Sequence, residues 1–169
     1  MPRLVAPTSS VRDSYLEGER AAFADEGLDD SVLEGAEADF EAFAANRRRA
    51  RVQWGVPVTE LWFVDGSSYI GTVVIRHRLT PELRANGGHI GFHVVPPQRR
   101  HGYATEMLAE ALEFCRRLGL PEVLITCDVT NSGSRKVIEA NGGRLQRTQR
   151  GIRAYTVDLS ESVSVTPPV

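Results

Sequence analysis

The chain has 169 residues, of which 41% are hydrophobic and 25% charged, with a formal net charge of −2. That is enough chain for one domain with a proper core, and its slight negative charge argues against nucleic acid or an anionic membrane as partner. No apolar run approaches the roughly 18 residues of a transmembrane helix, and the opening MPRLVAPTSS lacks an apolar signal core. The two cysteines, Cys115 and Cys127, show neither metal-ligand spacing nor a disulfide framework. They read as reduced thiols of a cytoplasmic protein that holds no metal.

Arg3 to Ala6 reads as a short first strand. Thr8, Ser9 and Ser10 are N-cap candidates for a helix over Val11 to Asp25, with Val11, Tyr15, Ala22 and Phe23 near one face. A second helix is expected over Ala36 to Arg51, with Phe40, Phe43 and Ala44 at i, i+3 and i+4, and the loop QWGVPV ends it. Two apolar runs, Thr59 to Val64 and Ser68 to Leu79, flank Asp65-Gly66, a hairpin signal. Thr80 to Gly88 is a polar excursion, His89 to Val95 a central strand, and Pro96-Pro97 its stop.

A helix over Thr105 to Leu118 follows, broken by Gly119 and Pro121. Glu122 to Cys127 is the next strand. Asn131 caps a short helix, Ser132 to Ala140, which Asn141-Gly142-Gly143 ends. Arg144 to Gln149 and Arg153 to Leu159 close the chain as a hairpin turning at Gly151. Residues 1–159 are expected to form a single domain and 160–169 a disordered tail. The order βααβββαβαββ gives an α/β (α+β) class, with about six or seven strands in a mixed, mostly antiparallel sheet flanked by four helices.

The most informative stretch is RRHGYAT, Arg99 to Thr105, between the strand IGFHVV and an amphipathic helix. A strand, a tight glycine turn and a helix start make an anion site, because the first N–H groups of a helix have no internal partner. Gly102 lets backbone approach a ligand, and Ala104 keeps the next contact small. No Gly-Lys-Ser/Thr follows, which excludes a P-loop.

This stretch resembles the Arg/Gln-x-x-Gly-x-Gly/Ala pyrophosphate loop of the GNAT-type N-acyltransferases. The resemblance extends over His77-Arg78, Gly87 to Gly91, Gly102 to Leu108, Thr126 to Asp128, Asn131, Ser134 to Glu139 and Asn141 to Gly143, in a pattern similar to that of bacterial GNAT-like acetyltransferases. It implies a GNAT-like sheet whose central parallel strand pair is splayed, and acetyl-coenzyme A as co-substrate. Arg99, Arg100, His101, Gly102, Tyr103, Ala104 and Thr105 would then wrap the pyrophosphate. Phe92, His93 and Val94 would lie beside the pantetheine arm, which pairs with strand backbone like an added strand. Asn131 and Ser134 would reach the arm or a phosphate. Each has a plainer reading: Phe92 and Val94 as core, Asn131 as an N-cap, Arg99 and Arg100 as solvated charges.

Acyl transfer to an amine needs a base, an oxyanion donor and an outlet for the thiolate. A backbone N–H near Val94 suits the second role. His89 and Asp128 are the leading base candidates, with Glu60, His77 and His93 behind them, and water relay is the alternative. Many relatives carry a tyrosine seven residues beyond the asparagine as general acid. Here that residue is Ile138, so Tyr155, water or nothing takes the role.

The acceptor is read as a small-molecule primary amine, attacked directly in a ternary complex. The acidic residues between Asp25 and Glu41 would draw in a cation, or are simply a solvated face, and Arg47-Arg48-Arg49 follows at once. Trp62, Arg76, Arg78 and Tyr155 are candidate pocket residues. A protein or peptide N-terminal acetyltransferase and a non-catalytic acyl-CoA sensor are the competing readings. The family resemblance also implies a homodimer, though no interface is specified.

Overall fold

Side chains on both faces of the central strands are buried, so helices must cover both. In the computed structural model, which describes residues 1–160, the order is β1 (Arg3–Val5), α1 (Arg12–Asp25), α2 (Glu34–Ala38), α3 (Phe40–Arg48), β2 (Arg51–Gln53), β3 (Val56–Asp65) and β4 (Ser68–Arg76). It continues with α4 (Pro81–Ala85), β5 (Ile90–Val94), α5 (Tyr103–Arg117), β6 (Glu122–Asp128), α6 (Ser132–Ala140), β7 (Arg144–Gln149) and β8 (Ile152–Asp158). Nine of the ten residues of the expected tail, 161–169, lie outside the described residues.

The first face is closed by α5. Met107, Leu108, Ala111, Leu112 and Cys115 form its apolar stripe and pack with Phe63, Val73, Ile75 and Ile90. On the opposite face α1 and α3 build an aromatic layer. Tyr15 stacks on Trp62 with centroids 4.6 Å apart and meets Tyr69 at 4.7 Å. Such pairs add about 0.5–1.5 kcal/mol each beyond the area they bury. Both cysteines are free and buried, and burial pushes the Cys115 thiol up to about 11.

The class is α/β as expected, and the splay divides the strands into two antiparallel ladders. One runs β1-β3-β4-β5, with β2 also on β3, and the other runs β6-β8-β7. Their facing edges, β5 and β6, meet at the N-terminal end of β5. There Gly88 bridges Ile125, and the His89 N–H donates to Leu124 O at 2.7 Å. Gly88 has φ +63°, and a Cβ on it would lie 2.4 Å from Leu124 O, so only glycine lets the two backbones cross.

Three local expectations change. The helix expected over Ala36 to Arg51 is interrupted at Asp39 (φ −149°, ψ 85°), whose side chain accepts the Ala42 N–H at 3.0 Å and starts α3. The loop QWGVPV is instead a hairpin: Trp54 (φ 52°) and Gly55 (φ 75°) turn β2 into β3. The polar excursion holds α4, capped by Thr80 Oγ1 accepting the Leu83 N–H at 3.2 Å, with Pro81 in the first turn. Among the described residues no helix is long and apolar enough to cross a membrane.

Candidate active site

The loop between β5 and α5 is held by backbone strain. Arg100 has φ +66° although it is not glycine, and Gly102, the residue before α5, has φ +75°. Left-handed residues at this point turn successive N–H groups to one side. No side chain caps α5. Among the described residues, the N–H groups of Arg100 to Thr105 make no backbone hydrogen bond. They surround a hollow of about 200 Å³ lined by Val94, Arg99, Arg100, Gly102, Tyr103, Ala104, Thr105 and Val137. A ring of unpaired N–H groups at the positive end of a 15-residue helix is chemically an anion cradle.

The flanking side chains play smaller parts. Arg99 is tied down, donating to Val94 O at 3.1 Å and Asp25 Oδ2 at 2.9 Å. His101 Nδ1 lies 3.1 Å from Gln98 O, and its ring sits 5.4 Å from that of Tyr103. Nothing within 4 Å would meet a Cβ on Gly102, so its requirement is its positive φ rather than crowding by the protein.

The register of β5 decides what its edge offers. Arg76 N–H donates to His89 O and Val95 N–H to Ile70 O, with Thr72 opposite His93 and Val74 opposite Gly91 between them. In an antiparallel ladder the outward groups belong to the alternate residues. The N–H groups of Phe92 and Val94 therefore point away from β4, toward the gap between the ladders. That gap, about 240 Å³, is bounded by Ile90, Gly91 and Phe92 on one side and Thr126, Cys127, Asn131 and Ser134 on the other. Asn131 caps α6 by accepting the Ser134 N–H at 3.0 Å.

The side chain of His93 lies on the face opposite those of Phe92 and Val94. Its Nε2 lies 2.8 Å from Glu19 Oε1, an oxygen that also accepts the Tyr69 hydroxyl at 2.6 Å. Burial alone would push His93 down, but the Glu19 carboxylate outweighs it and holds His93 above the ordinary histidine value. Burial likewise pushes Glu19 up, and the His93 and Tyr69 hydrogen bonds reverse it. The pair opens on a second cavity of about 240 Å³, lined also by Tyr15, Phe23, Val32, Leu33, Phe43, Thr72 and Val74 and by Arg47 and Glu60. Glu60 is 6% exposed. It accepts from Arg51 at 2.7 Å, Arg47 at 3.3 Å and Trp62 Nε1 at 2.9 Å.

The residues expected to catalyse make other contacts. His89 Nδ1 accepts the Leu124 N–H at 2.9 Å, which puts any proton of the neutral ring on Nε2 and leaves no free lone pair. Burial, with Arg84 and Arg76 nearby, pushes its pKa down to about 4. His89 is a clamp between the two ladders. Asp128 is exposed and folded back on Thr130, accepting its N–H at 2.8 Å and its hydroxyl at 2.6 Å, bonds that lower its pKa. Tyr155 is 1% exposed, packed in the α5-side core, and its hydroxyl donates to Glu139 at 3.3 Å. Burial and Glu139 raise its pKa. Ile138 is fully buried in the same core. Trp62 is core as well, and Arg76 donates to Gly87 O and Gly88 O beneath the Trp54 ring.

Glu19 went unnoticed in the sequence, and a signal for it exists. It stands four residues after Tyr15 and four before Phe23, a carboxylate in the middle of an apolar helical stripe. Among the described residues no group of three or more His, Cys, Asp or Glu side chains is gathered as a metal site.

Comparison with known proteins identifies the family and the fold. Residues 19–144 match the family model described as acetyltransferase (GNAT) domain. Among solved structures, a putative ribosomal-protein-serine acetyltransferase from Vibrio cholerae is similar, at 17% identity over 93% of each chain, with a TM-score of 0.64. The ribosomal L7/L12 alpha-N-protein acetyltransferase RimL, solved with coenzyme A, is 14% identical over 94% of each chain, with a TM-score of 0.63. The microcin C7 self-immunity acetyltransferase MccE, solved with acetyl-CoA and AMP, is 14% identical over 93% of this chain and 92% of that one, with a TM-score of 0.62. No protein of curated function matches the sequence.

Proposed function

Because the chain belongs to the GNAT acetyltransferase family, we propose that it moves an acetyl group from acetyl-coenzyme A to a primary amine of a small molecule. One observation carries the reading: the unpaired N–H groups of Arg100 to Thr105 adjoin a strand edge whose Phe92 and Val94 N–H groups are also turned outward. The first set suits the pyrophosphate. The second suits the amide groups of a pantetheine arm laid along β5, with Asn131 and Ser134 across the gap.

In this reading an edge N–H of β5, at Phe92 or Val94, donates to the thioester carbonyl. It then holds the oxyanion of the tetrahedral intermediate, where a fixed dipole contributes most. His93 replaces His89 as the base. With Nε2 on Glu19, a neutral His93 keeps its Nδ1 lone pair free to take the proton of the ammonium, and Glu19 stabilises the imidazolium formed. The amine attacks the carbonyl carbon, the tetrahedral nitrogen gives its remaining extra proton to water, the carbon–sulfur bond breaks, and the thiolate leaves to be protonated from that water. Ile138 cannot protonate it and Tyr155 is sealed in the core, so water does. Attack is direct, with both substrates bound.

The test is thiol release from acetyl-coenzyme A against a panel of amines, with the heat of coenzyme A binding recorded on the same preparation. Turnover with small amines is expected. Turnover only with peptide N-termini would move the acceptor to proteins. Binding without turnover across both panels would leave a sensor, and absence of binding would overturn the assignment of Arg99 to Thr105.

A further inference from the structure

The cavity beside His93 is lined by a guanidinium and a carboxylate, Arg47 and Glu19, that their protein partners leave incompletely engaged. Glu60 is already satisfied at 2.7 Å by Arg51 and at 2.9 Å by Trp62 Nε1. The second arginine, Arg47, makes only a 3.3 Å contact with it. Arg47 lies over the Phe43 ring at 4.8 Å with its side chain 35% exposed. One carboxylate facing two guanidinium groups leaves a net positive charge there, and Arg47 is the more exposed of the two.

At Glu19 the count reverses. Glu19 Oε1 takes both the Tyr69 hydroxyl and His93 Nε2. Among the described residues Glu19 Oε2 has no hydrogen-bond partner, although the side chain is only 11% exposed. That oxygen still reaches solvent, since it is not among the sealed side-chain atoms that lack a partner, and it is therefore open to an incoming ammonium. Arg47 is near enough to Glu19 to contribute to lowering its pKa. Apart from Thr72 and the charged groups, the lining is apolar or aromatic: Tyr15, Phe23, Val32, Leu33, Phe43 and Val74. The cavity, about 240 Å³, is below the roughly 300–1,000 Å³ of sites for drug-sized ligands.

We infer that the acceptor is a free amino acid with an apolar side chain, its ammonium on Glu19 and His93 and its carboxylate on Arg47. The inference rests on the acetyltransferase reading and narrows it. A polyamine would put a second cation beside Arg47, and a peptide or amide would leave the guanidinium without its anion. A carboxylate–guanidinium pair in a partly desolvated site changes affinity by about tenfold or more.

The experiment measures thiol release from saturating acetyl-coenzyme A with leucine, phenylalanine and methionine. Their amides, their decarboxylated amines and peptides bearing them at the N-terminus complete the panel. The free acids are expected to exceed the other three forms by tenfold or more in kcat/KM. Arg47→Gln is expected to bring the acid-to-amide ratio to about one, mainly through KM, with coenzyme A affinity by calorimetry as in the unaltered protein. Arg47→Lys should restore part of the ratio. Amides, amines or peptides performing as well as the acids, or an Arg47→Gln loss equal for all forms, would overturn the inference. So would acetylation confined to amines outside this panel, which would leave the acetyltransferase reading standing. Failure to bind coenzyme A would instead remove the reading beneath it.

Discussion

The loop at the head of α5 and the cavity beside His93 lie against the same strand, β5, yet they are made of different material. The loop is seven consecutive residues, Arg99 to Thr105, whose donors are backbone N–H groups oriented by two positive φ angles. The cavity is made by side chains from α1, α3, β3, β4 and β5, as far apart in sequence as Tyr15 and His93. A backbone site depends on conformation and tolerates most changes of side chain. A side-chain site depends on identity at every position, and on the packing that gathers them. A cofactor common to many enzymes suits the first kind, and an acceptor that distinguishes one enzyme from another suits the second.

The largest effect should come where both regions depend on one contact. Gly88→Val would place a branched side chain at φ +63° and against Leu124 O. We expect a stability loss of about 3 kcal/mol or more, read as a lower urea midpoint, together with loss of both sites. An unchanged midpoint would show that the crossing of β5 over β6 does not organise them.

Next, Gly102→Val should separate the two regions. Its φ of +75° is costly for a β-branched residue, by about 1–2 kcal/mol. Coenzyme A affinity should fall more than tenfold in calorimetry while the fold is kept. Equal binding would mean that the loop is not the cradle.

The histidines sharpen the contrast along β5 itself. His89→Ala leaves the Leu124 N–H without its acceptor, at a cost of about 1–2 kcal/mol. In the unaltered chain the unfolded state takes up a proton near the ordinary value of 6.5, and folded His89 only near 4. The unfolded state therefore binds more protons in that window, and stability falls as pH drops through it. Urea midpoints against pH should show this slope, and His89→Ala should flatten it. The same variant should leave the neutral-pH limb of the rate profile in place; a flattened limb would return His89 to the role of base.

The smallest effect is the ion pair. Folded His93 has a raised pKa, so its contribution is whole below about 6.5 and is lost as pH climbs through the raised value. Glu19, with a lowered pKa, contributes fully above about 4.5 and loses that as pH falls through its folded value. With His93 half-exposed, the pair contributes about 1 kcal/mol or less. In urea titrations, Glu19→Gln should remove the part of the pH dependence that runs opposite to that of His89. An identical pH profile in Glu19→Gln and unaltered protein would show that the two groups do not interact in solution.

Much of the scaffold was legible because its signals are local. Asp65-Gly66, Asn131 and the stripe of α5 each act within a few residues. The elements misread were those where a short polar side chain competes with a helix, as at Asp39, or where a non-glycine residue takes a left-handed turn, as at Trp54. In the candidate site, the turn before α5 was legible and the surroundings of the two histidines were not. His89 and His93 stand on one strand at positions of the same parity. What separates them is that Leu124 meets one and Glu19 the other.

Periodicity, caps and glycine turns are properties of neighbouring residues, which is why the family resemblance, the order of most elements and the glycine turn before α5 could be read from the chain alone. Only the tertiary structure decided which histidine keeps a free lone pair, which arginine is left over and which carboxylate oxygen lacks a donor. Those are outcomes of competition among groups distant in the chain, settled by which of them packing brings within hydrogen-bond reach.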